Sequence, residues 1–160
     1  MEGATLPVAA EANQEARKWA CITVHPSLPS KAVQLAGVRA WAGYSSVDAS
    51  QIYADDVSEV GRTTRWEGKL PKRETLMAAL AAQPGSRNQV YFRSPLCVGF
   101  SEKHAADTIA RIFANDALVF VQSEAVLYRR GDDLTDLLDA VAREAKAATQ
   151  RRYRASNKIV

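Results

Sequence analysis

Histidine and cysteine are scarce here, with two of each in 160 residues. His25 and His104 are far apart, and neither sits in a His-Glu-x-x-His or Cys-x-x-Cys arrangement, so a dedicated zinc site is not expected. Cys21 and Cys97 each lie in an apolar run (Ala20 to Val24 and Leu96 to Phe100), where cysteine behaves as a small buried hydrophobe. Two cysteines do not make the disulfide framework of a small secreted scaffold. The phosphate-cradling Gly-x-Gly-x-x-Gly and Gly-x-x-x-x-Gly-Lys patterns are absent, as is the nucleophile elbow Gly-x-Ser-x-Gly. No cofactor, metal or catalytic constellation is therefore expected. No apolar run approaches the roughly 20 residues that span a bilayer. The first residues have no basic stretch of the signal-peptide kind. The expectation is a cytoplasmic protein with no membrane partner.

Apolar residues make up 47% of the chain and charged residues 24%, an ordinary globular composition. The length suits one domain over 1–160, with 1–10 and 152–160 read as loose tails. Charge is placed unevenly. Residues 1–60 carry four Lys and Arg against seven Asp and Glu; residues 61–160 carry seventeen against eleven. A basic second half attracts nucleic acid or an acidic protein surface.

Local signals give the order of elements. Glu11 to Lys18 suits a helical turn or two. Trp19 to Val24 is β-branched and aromatic and reads as a strand ended by His25-Pro26. Ser30 caps a short helix over Lys31 to Ala36, stopped at Gly37. Ser45-Ser46 suits a helix running through Ile52 and Tyr53, or the same residues form a strand and turn; Val60 to Trp66 reads as extended. Pro71 and Arg73 to Ala82 make a helix, and the apolar runs Gln89 to Phe92 and Leu96 to Phe100 read as consecutive strands or as one strand broken at Pro95. Ser101 caps a helix over Glu102 to Ala114. Ala117 to Val121 and Ala125 to Tyr128 form a β-hairpin. After Gly131-Asp132-Asp133, Leu134, Leu137, Leu138, Val141, Ala145 and Ala148 recur at helical spacing, with acids at the start and bases at the end as the helix dipole favours. The class is α+β, a single domain with an antiparallel or mixed sheet, a hairpin near 117–129, and three or more helices, the last C-terminal.

One ordering of polar residues points to chemistry. His25 ends a strand, a strand–Ser101–helix block follows, and Gln122-Ser-Glu124 precedes another strand. This order is similar to that of ADP-ribosyltransferases. The resemblance implies an enzyme using NAD, with His25 and Glu124 at the nicotinamide and Glu124 stabilising positive charge on the ribose. The same Gln122-Ser-Glu124 segment also reads as a plain hairpin turn.

Two basic segments carry the main functional expectation. Arg62, Arg65, Trp66, Lys69, Lys72 and Arg73 form one run; Arg151, Arg152, Tyr153, Arg154 and Lys158 form the other. Lysine and arginine neutralise phosphates while an aromatic ring stacks on a base. The expected function is that of a small non-enzymatic binding protein (adaptor, inhibitor or assembly subunit) acting by protein–protein contacts. Its partner is another protein or a nucleoprotein complex, with nucleic acid as a further candidate. The contact residues are Arg62, Arg65, Trp66, Lys69, Arg151, Arg152 and Arg154.

Overall fold

A computed structural model describes residues 16–43, 47, 49–58 and 70–158. Five strands form one mixed sheet: β1 (Arg17–Val24), β2 (Ile52–Asp56), β3 (Asn88–Phe92), β4 (Leu118–Val121) and β5 (Val126–Tyr128). The helices are α1 (Lys31–Ala42), α2 (Pro71–Ala82), the one-turn α3 (Pro95–Val98), α4 (Glu102–Ala114) and α5 (Thr135–Lys158). The spatial order is β2-β1-β3-β4-β5. The first four strands are parallel and β5 is antiparallel to β4. The expected α+β class with a mixed sheet and a C-terminal helix is what forms. Among the described residues the antiparallel contribution is the hairpin alone, with Ala125 in the left-handed region closing its turn.

Alternation along the strands divides the interior into two layers. Trp19 and Cys21 of β1, with Val90 and Phe92 of β3, face the larger core built by α2, α4 and α5. Ala20, Ile22 and Tyr91 face α1, whose Val38 is buried among them. Parallel strands buried on both faces read as near-continuous apolar runs, which is why Trp19 to Val24 was legible as a strand.

Several boundaries differ from the sequence reading. Arg17 and Lys18 begin β1 instead of ending a helix, while 11–15 lie outside the described residues. The helix expected to stop at Gly37 continues to Ala42 and ends at Gly43, whose φ of 59° suits a residue without a Cβ. Gly37 serves packing: a Cβ there would collide with the Tyr91 hydroxyl and the Gln122 side-chain oxygen. Of the two readings around Ile52, the turn and strand form, as a 3-10 turn over Ala49–Gln51 and then β2. Ser45, Ser46 and the stretch from Val60 to Trp66 lie outside the described residues. Leu96 to Val98 is helical, not a strand, because extended Ser94 and Pro95 at the first helical position start a turn. Residues 152–158, expected as a loose tail, continue α5.

Candidate nucleic-acid interface

The apolar stripe on α5 fixes its rotation. Leu137, Val141 and Ala148 are buried, and Leu134, Leu138 and Ala145 pack beside them. Burying a leucine or valine contributes about 1.5–3 kcal/mol, so this stripe decides which side meets water. At 100° per residue, Arg143, Lys146 and Arg154 fall within one arc of about 80° opposite the stripe, and Arg151 lies between that arc and the stripe. All four are exposed. Among the described residues, none of the four forms an ion pair. Arg143 to Arg154 spans about 16 Å at 1.5 Å per residue.

Position along the axis is set as firmly. The Glu144 carboxylate accepts the Leu96 N–H at 2.8 Å, tying the middle of α5 to the start of α3 at the carboxyl ends of the parallel strands. Burial raises the Glu144 pKa, with Glu124 adding to the rise and Arg143 and Arg151 opposing it. Ala148 is the last buried residue described; Thr149, Gln150, Arg151 and Arg154 beyond it are exposed. The segment from Ala148 to Lys158 adds about 15 Å of helix.

Of the sequence candidates, Arg154 lies on this face and Arg151 at its edge. Arg152 is described only through its backbone, in the same turn. Arg62, Arg65, Trp66 and Lys69 lie outside the described residues. Arg143 and Lys146 were missed as contacts, although their spacing of eleven and eight from Arg154 was readable once the apolar stripe set the opposite face.

Arg73, read in sequence as part of a basic run, is corrected by the structure: it is 2% exposed and structural. Its guanidinium donates to the Val98 and Cys97 carbonyls at 2.6 and 2.9 Å, and to the Thr23 and Thr108 hydroxyls at 3.1 and 3.2 Å. It also lies 5.5 Å from the centre of the Phe92 ring. Asp55, on β2, accepts the Lys72 and Arg73 backbone N–H groups, both at 2.9 Å. An acid from a neighbouring strand thereby caps α2, whose own N-cap Leu70 has no acceptor to offer. Cys21 and Cys97 are buried near this cation, and burial pushes both thiols up, away from the reactive thiolate.

His25 and Glu124 both lie past carboxyl ends of parallel strands, but β3 stands between their strands β1 and β4. Two inter-strand steps amount to roughly 10 Å at the backbone. His25 is buried, and its Nδ1 accepts the Ser27 N–H at 3.1 Å. Glu124 is exposed on the hairpin turn. In open α/β sheets, ligands bind where helices leave adjacent strands towards opposite faces. Here that place is between β1 and β3. The loop after β1 is tied down there, since the buried Gln34 amide donates to the Thr23 and Pro29 carbonyls, each at 2.8 Å. Gln122 faces the α1 side, where it accepts from the Tyr91 hydroxyl and donates to the Gly37 carbonyl at 3.2 Å.

No helix among the described residues is long and apolar enough to cross a membrane. No protein-family model matches this chain, and no curated protein matches its sequence.

Proposed function

We propose that this chain is a non-enzymatic binding protein of nucleic acid or nucleoprotein complexes, and that it holds the phosphate backbone with the basic face of α5. One observation carries the reading: Arg143, Lys146 and Arg154 lie exposed opposite the stripe that anchors the helix, with exposed Arg151 at the edge of the same face. A helix of about 10–12 Å diameter fits a major groove about 12 Å wide. Arginine pairs with phosphate oxygens bidentately. Nothing in the face reads a particular base sequence, so binding is weakly specific and governed by counterion release.

The test is affinity for random duplex DNA and RNA as a function of salt. Four neutralised phosphates give a log–log slope of about −3 to −4, and Arg151→Gln with Arg154→Gln makes it shallower by about 2. Both side chains are exposed, so the thermal midpoint stays unchanged. Absent or salt-insensitive binding by the unmodified chain would sink the reading.

A further inference from the structure

We draw no further inference here: the strongest candidate, the half-buried apolar patch that Leu118, Phe120 and Leu127 present on the α1 side of β4 and β5 beside the Trp41 ring, carries nothing, because nothing in the structure shows what covers it.

Discussion

Arg73 shows why the identity of a charged residue does not tell its duty. Two residues away from it, the sequence offers Leu70-Pro71, an ordinary helix start. The side chain nonetheless turns inward, to four oxygens from β1, α3 and α4. Two of those oxygens are the Cys97 and Val98 carbonyls at the end of α3, which a one-turn helix cannot satisfy internally. Replacing Arg73 by Met keeps the aliphatic stem and removes every donor. Buried acceptors left unpaired cost about 1–3 kcal/mol each, so Arg73→Met is expected to lose about 3–5 kcal/mol. A urea titration checks this: the midpoint falls with the slope unchanged, and a loss below about 1 kcal/mol would contradict the clamp.

At the scale of elements, legibility followed how local the determinants are. Helix α4 was readable because Ser101 accepts the His104 N–H and an unbroken apolar stripe follows. The hairpin was readable because β4 and β5 are joined by a few residues. Helix α1 was cut short because Gly37 signals a stop, whereas the reason for a glycine there lies on β3 and after β4. Two effects oppose each other at that position. Alanine gains about 1 kcal/mol of helix propensity over glycine. Its Cβ would meet the Tyr91 hydroxyl inside a packed layer, and such overpacking costs about 1–3 kcal/mol. Gly37→Ala is therefore expected to destabilise by up to about 2 kcal/mol. Adding Tyr91→Phe, which removes the hydroxyl, restores part of the loss. Thermal melts of the two single variants and the double form the cycle; strict additivity would show that the two sites do not touch. The sheet order was not legible, because β1 finds β2 and β3 through pairings dozens of residues apart. The exposed face of α5 was half-legible, through Arg151 and Arg154 but not Arg143 and Lys146.

For the whole molecule, buried titratable groups set the acid limit. Burial, helped by the Arg73 charge, lowers the His104 pKa from 6.5 to about 4. The folded state therefore holds a neutral imidazole where the unfolded chain binds a proton. Stability from this group is fully present above about 6.5, falls with pH through the window down to about 4, and is level below it. The loss is at most about 3 kcal/mol, reduced by solvent reaching the ring, which lines an open cleft with Glu74, Asp107 and Arg111. Glu144 works in the opposite sense: its pKa is raised, so the folded state holds its proton to higher pH and offsets part of the loss just above the ordinary carboxylate range. Urea midpoints at pH 7 and pH 4.5 measure the sum, and His104→Gln is expected to shrink the difference. An undiminished difference would place the proton uptake elsewhere.

The reach of the Arg73 clamp also bears on how the chain can be made. The guanidinium draws on oxygens between Thr23 and Thr108, and its helix is capped by Asp55. On a ribosome, the first sheet strands emerge long before Cys97 and Val98 do, and until then the Thr23 hydroxyl is the one acceptor of the four within reach. The early half thus waits for the later one, and any fragment ending before Cys97 lacks three of the four oxygens that hold the guanidinium.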